Sequence, residues 1–151
     1  MRALIQRVSQ ASVEIDSRRV SQIGKGLLVF LGIGRGDSSD DIKYIANKIL
    51  NLRVFPDGDQ NFNRSLLDIS GELLIVSQFT LYGDCRKGRR PSFDKAENPS
   101  ESKQLYDDFI TFIRETFPSI NIKEGVFQAD MDISLVNDGP VTFILDSSKI
   151  L

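Results

Sequence analysis

A chain of 151 residues, 40% hydrophobic and 26% charged, has the length and balance of one folded domain. It has no histidine, one cysteine and a formal net charge of -2, which excludes imidazole catalysis, His-bound zinc and an intrachain disulfide, and argues against nucleic acid as a partner unless basic residues cluster locally. A lone cysteine fits a reducing compartment, no apolar secretory core follows Met1, and the longest apolar run (26–33) is too short for a bilayer, so the expectation is a cytoplasmic protein with no membrane role.

Residues 2–9 alternate Ala3, Ile5 and Arg7 against Leu4, Gln6 and Val8, the period of a strand that Val13 and Ile15 continue. Asp16-Ser17-Arg18-Arg19 reads as a hairpin turn returning through Val20 and Ile23. After Gly24-Lys25-Gly26, residues 27–33 form the most apolar strand. Ser38, with Asp41 three residues on, has capping-box spacing, and Ile42, Ile45, Ala46, Ile49 and Leu50 then recur as the buried stripe of an amphipathic helix over 38–52. A short strand over 53–55 leads to the turn Pro56-Asp57-Gly58-Asp59, whose acidic pair lacks the ligand spacing of a calcium loop; no metal or cofactor is expected.

The next strand, 72–81, begins as a continuous apolar run and turns polar at Ser77, Gln78 and Thr80, as a strand does where it ends or lines a cavity. A long loop over 82–100 follows, and long loops in compact domains are functional or disordered. Its first part, 82–95, carries five basic residues against two acidic ones. Arg86, Lys87, Arg89 and Arg90 around Gly88 suit phosphate contact, although a solvated loop explains them equally well. Ser100 opens a second amphipathic helix with Leu105, Phe109, Phe112, Ile113 and Phe117 at helical spacing, stopped by Pro118. Ile120, Ile122, Val126 and Phe127 supply short strands.

Two more strands, 131–135 and 141–145, flank Asn137-Asp138-Gly139-Pro140-Val141-Thr142. Glycine permits positive φ and close approach, and proline fixes its own φ and removes a donor, so Gly139-Pro140 makes a stiff corner with bare carbonyls. It is either a strand-to-strand turn or a rigid main-chain probe aimed into a pocket. The elements together predict a single α+β domain over 1–151, with a mostly antiparallel, barrel-like sheet and two amphipathic helices.

Ser77-Gln78-Phe79-Thr80-Leu81 and Asn137-Asp138-Gly139-Pro140-Val141-Thr142 together resemble the paired signature of D-aminoacyl-tRNA deacylases. The likeness extends to residues 1–8, 63–68 and 86–93, and so runs nearly end to end. It implies a homodimer that hydrolyses the ester between a D-amino acid and its tRNA; a stiff corner that rejects an L side chain should accept glycine too, and no DNA partner is expected. It implies that Gly139 and Pro140 form a cis peptide that enters the partner's pocket and faces Ser77, Gln78 and Phe79. Arg7 matches a position that braces the corner across the interface, and Phe127 and Met131 match positions lining a pocket for the terminal adenosine. Asn137, Thr80 and Thr142 match motif positions; Thr80 as a nucleophile competes with activation of water by the substrate's 2'-hydroxyl, and no base for Thr80 is evident. The rival classes are a non-catalytic RNA-binding module using the basic loop and a dimerisation domain in which Gly139-Pro140 is only a turn.

Overall fold

The computed structural model describes residues 1–150. In chain order these form β1 (Arg2–Ile15), β2 (Arg18–Ile23), β3 (Gly26–Gly32), α1 (Ser39–Asn51), β4 (Phe55–Asp57), β5 (Gln60–Arg64), β6 (Glu72–Ser77), α2 (Pro99–Thr116), β7 (Asn121–Glu124) and β8 (Asp132–Asp146), with a 3-10 helix over Phe79–Tyr82. The main sheet runs β2-β1-β3-β6-β7, with β8 on the other edge of β1, and β4 and β5 form a separate hairpin. β2 also lies against β6 and β7, which brings the sheet nearly to closure.

The long β1 is shared along one edge by two partners. Its first half pairs antiparallel with β3, Arg2 opposite Gly32, and its second half with β2, Ala11 opposite Ile23. The expected mostly antiparallel sheet does not hold at β3-β6-β7. Leu31 pairs parallel with Ser77, and Glu72 pairs parallel with Asn121, so the sheet is mixed. The cause lies in the connections: parallel neighbours need a crossover of a dozen or more residues, and α1 and α2 supply it.

Alternate residues of β3 and β6 serve two cores. Leu27, Val29, Leu73 and Ile75 join the layer between sheet and helices, while Leu28, Leu74 and Val76 face the inside of the curl with Val8, Ala11 and Val13. Burial on both faces is why these strands read as unbroken apolar runs. Each fully buried aliphatic side chain contributes about 1.5–3 kcal/mol. An exposed pair such as Lys103–Asp107 contributes about 0–1 kcal/mol, so the two cores dominate the fold.

The capping box at Ser38 and Asp41 is present, and the five predicted positions are the buried stripe of α1. α2 is capped by Asn98 with Pro99 in its first turn and buries Tyr106, Phe109, Ile110 and Ile113. The predicted stripe lacked Tyr106 and Ile110 and placed Phe112 and Phe117 in the core, where they are only partly buried.

Three predicted boundaries move. The strand expected to reach residue 81 ends at Ser77, where the chain tightens into the 3-10 helix. Val126 and Phe127 lie in the turn after β7 and not in a strand. The two strands expected around Gly139-Pro140 are one strand, β8, interrupted by a bulge. Thr142 pairs with Gln6 and Asn137 with Val8, so residues 138–141 swing out opposite Arg7 alone. No helix among the described residues is long and apolar enough to cross a membrane.

Candidate active site

A cavity of about 710 Å³ opens at the carboxyl ends of the parallel strands β3 and β6. Its walls include Leu31 and Val76 from the strands, Ser77, Gln78 and Phe79 from the start of the 3-10 helix, and Phe127 and Met131 from the turn before β8. Five predicted site residues therefore meet in one place. Phe79 is 57% exposed and lies edge-on to Phe93, ring centroids 5.0 Å apart. Phe127 packs on Tyr106, centroids 5.7 Å apart. Burial and nearby Glu124 push the Tyr106 phenol well above its ordinary pKa, so it stays protonated and donates to the Ile75 carbonyl at 3.0 Å.

The backbone donors at the cavity mouth are not equivalent. The N–H of Gln78 is taken by the Leu31 carbonyl at 2.8 Å. The N–H groups of Phe79 and Thr80, the first two of the 3-10 helix, have no backbone acceptor among the described residues. Thr80 is exposed, and its hydroxyl oxygen accepts from the Gln78 carboxamide. A carboxamide N–H cannot take a proton from that hydroxyl, so this contact does not activate Thr80.

Gly139 and Pro140 do not line this cavity; they stand exposed on the bulge of β8, joined by a cis peptide bond. Around them the chain is tightly tied. The Arg7 guanidinium donates to the Asp138 carbonyl at 2.9 Å and to the Val54 carbonyl at 2.6 Å, with the Asp138 carboxylate at 3.4 Å. Arg7 thus ties the corner within its own chain, directly opposite the bulge. Asn137 accepts from the Val141 N–H at 2.7 Å and donates to the Thr142 hydroxyl at 3.0 Å, while Gln6 reaches the same hydroxyl at 3.3 Å. Arg7, Asn137 and Thr142 hold the corner's shape and do not reach the cavity.

The cavity and the corner both fall within residues 4–146, which match the family model described as D-Tyr-tRNA(Tyr) deacylase. The chain belongs to this family. It is 58% identical over 150 residues to the D-aminoacyl-tRNA deacylase of Petrotoga mobilis and 55% identical over 150 residues to that of Thermosipho africanus, each alignment covering 99% of both chains. Among solved structures, the c-Myc DNA Unwinding Element Binding Protein superposes with a TM-score of 0.91 at 39% identity, over 97% of this chain and 98% of that one. A probable eukaryotic D-amino acid tRNA deacylase shares the fold, with a TM-score of 0.80 at 20% identity over 95% and 97% of the two chains.

The basic loop of this deacylase-family chain is clasped at its base. Asp84 and Ser92 exchange backbone hydrogen bonds of 2.7 and 3.0 Å, and the Arg86 guanidinium forks onto the Asp84 carboxylate. That hydrogen bond holds the Asp84 carboxyl well below its ordinary pKa. Lys87, Arg89 and Arg90 are exposed, and none is ion-paired among the described residues. Sequence reasoning also passed over Leu31, Ile33 and the Asn98 end of α2, all of which line the cavity. The signal that finds them is topological: ligands bind beyond the carboxyl ends of parallel strands, and only a parallel reading of β3 and β6 points there.

Proposed function

We propose that the protein hydrolyses the ester joining a D-amino acid, or glycine, to the terminal adenosine of tRNA, and that two chains pair so that the Gly139-Pro140 corner of each stands over the other's cavity. The observation that carries this reading is the division of labour within one chain: a cavity without a gate, and a braced, exposed corner that serves no cavity of its own. A stiff main-chain corner leaves room at Cα for hydrogen and none for a side chain. An L-residue turns its side chain into the corner, and the corner cannot yield. Glycine has nothing to clash, so it passes with the D-residues.

Water attacks the ester carbonyl carbon, the carbonyl oxygen takes the negative charge, and the bond to the ribose oxygen then breaks. That oxygen leaves with a proton, and the D-amino acid and tRNA are released. The substrate's own 2'-hydroxyl assists the water. The free Phe79 N–H, with that of Thr80 beside it, suits the developing oxyanion, a contribution of about 3 kcal/mol. An aminoacyl ester is already activated, so this modest machinery suffices without histidine. Lys87, Arg89 and Arg90 meet acceptor-stem phosphates. The place of work is the cytoplasm, with charged tRNA.

A second reading, a nucleic-acid-binding module without catalysis, draws on the basic loop and on the DNA-binding name of the 39% identical structure. Hydrolysis of D-tyrosyl-tRNA at least about 100-fold faster than L-tyrosyl-tRNA supports the first reading; binding without turnover supports the second. The pairing is tested by mixing two inactive chains, Gly139→Ala with a spoiled corner and Ala129→Trp with a filled cavity. A mixed dimer regains one working site if the corner acts on its neighbour, and none if it acts within its own chain.

A further inference from the structure

The turn that carries Phe127 toward the cavity has an unusual occupant. Its backbone closes from the Ala129 N–H to the Val126 carbonyl at 3.2 Å, and its third residue, Gln128, has φ 63°. Glycine or asparagine is the ordinary choice at such a position, because a longer L side chain crowds the following carbonyl. Non-glycine residues in this region persist where the surroundings enforce them, and they cluster at ligand clamps. Gln128 is exposed and is one of the residues that line the cavity.

Both flanks of the turn are fixed. Phe127 rests on the buried Tyr106 ring. The Met131 sulfur accepts from the Val126 N–H at 3.3 Å, in a space where a Cβ on Gly125 would lie 2.9 Å from it. A ring and a thioether thus form one apolar wall, on which a flat heteroaromatic base can stack. The carboxamide beside that wall offers one donor and one acceptor, and adenine presents the complementary pair, an exocyclic amino donor beside a ring-nitrogen acceptor.

We propose that Gln128 reads the edge of the substrate's terminal adenine, accepting from its 6-amino group and donating to a ring nitrogen, and so sets specificity for the base as the corner does for the amino acid. This rests on the proposed deacylase reading. The turn places Gln128 at the cavity, within reach of the edge of a base whose face rests on Phe127 and Met131. No atom of Gln128 touches the ester, so the effect falls on KM and leaves kcat nearly unchanged.

The test compares D-tyrosyl-tRNA ending in adenosine with the same tRNA ending in purine riboside, which lacks the 6-amino group. For the wild type, loss of that group raises KM about tenfold with kcat within twofold. Gln128→Gly removes the carboxamide and relieves the backbone; it should show one KM for both substrates, close to the wild-type value for purine riboside, and a thermal midpoint no lower than wild type. Gln128→Glu, which can accept from the amino group but cannot donate, should fall between. Equal KM values in the wild type, or a preference kept intact by Gln128→Gly, overturn the proposal. Binding of minihelices ending in adenosine or purine riboside, with D-tyrosine attached through an amide that is not cleaved, separates this failure from that of the activity. Base discrimination in binding without ester hydrolysis sinks the deacylase reading alone, and indifference to the base sinks the Gln128 proposal alone.

Discussion

The cavity mouth and the β8 corner are built in opposite ways. At the mouth, Phe79 stands 57% exposed, and the first N–H groups of the 3-10 helix have no backbone acceptor among the described residues. At the corner the polar groups turn inward: the Asp138 carbonyl to Arg7, the Val141 N–H to Asn137, the Thr142 hydroxyl to Asn137 and Gln6. What remains outward is Gly139 and Pro140, with almost no side chain to recognise anything. On the proposed reading, the part that receives a ligand keeps its donors free and the part that refuses one spends them on rigidity. Two arginines repeat the contrast. Arg7 is 8% exposed and bound to two carbonyls, whereas Arg86 is exposed and bound to a carboxylate.

The largest expected effect comes from breaking the corner's shape. A Cβ on Gly139 would lie 2.7 Å from Val141 Cγ2, at a φ of 144° that L-residues rarely adopt, so Gly139→Ala must move the bulge. A displacement near 1 Å at a positioning element costs about 100-fold in rate. We expect D-tyrosyl-tRNA hydrolysis to fall by that factor and the thermal midpoint to fall as well, since Val141 at the end of the bulge is buried in the core between sheet and helices. Wild-type turnover by Gly139→Ala breaks the contrast between mouth and corner. Arg7→Lys is next. Lysine keeps the charge but cannot fork to two carbonyls, and losing one charge-assisted hydrogen bond from a buried site costs about 2 kcal/mol. In a chain of this size that lowers the midpoint by about 4–8 °C, measurable by calorimetry, with slower hydrolysis as the corner loosens.

How far the chain could be read without coordinates follows from where each signal is local. The α1 cap and stripe were legible because helix periodicity and capping are contained within one turn or two. Ser77, Gln78, Phe79, Phe127 and Met131 were legible as a set through the resemblance, and the fold gathers them. The parallel pairing was not read, because strand direction is decided by the crossovers and Leu27 to Leu31 look the same either way. Tyr106 was missed because its hydroxyl partner, the Ile75 carbonyl, lies 31 positions away. Arg7 was tied to the corner through the resemblance alone, because the bulge it braces is a property of the β1–β8 register. The left-handed backbone of Gln128 has no side-chain signature.

The smaller effects test the basic loop beside the mouth, to which it is joined through Phe93 on Phe79. Arg89 and Arg90 are unpaired among the described residues, so replacing both with Ala should reduce the steepness of log affinity against log salt by about 1.5–2. Arg86→Ala should change it less, because that guanidinium is already engaged by Asp84. An equal change for Arg86 would mean that the clasp opens to meet tRNA.

The smallest effect is that of pH on the clasp itself. Hydrogen bonding from Arg86 lowers the Asp84 pKa below its ordinary 3.8. A carboxyl whose folded pKa is depressed stabilises the fold above its unfolded pKa, and that support disappears only as pH falls through the lower, folded value. The clasp therefore stays closed from neutral pH down to about 4 and opens only in stronger acid. The carboxyl-carbon shift of Asp84, followed by NMR, should be flat between pH 8 and 5 and should titrate below 3.8. A midpoint at or above that value would show the fork to be open in solution, with Arg86 as free as Arg89. The brace at Arg7 rests mainly on two carbonyls, which do not titrate, so over the same range the corner should keep its shape while the loop gives way.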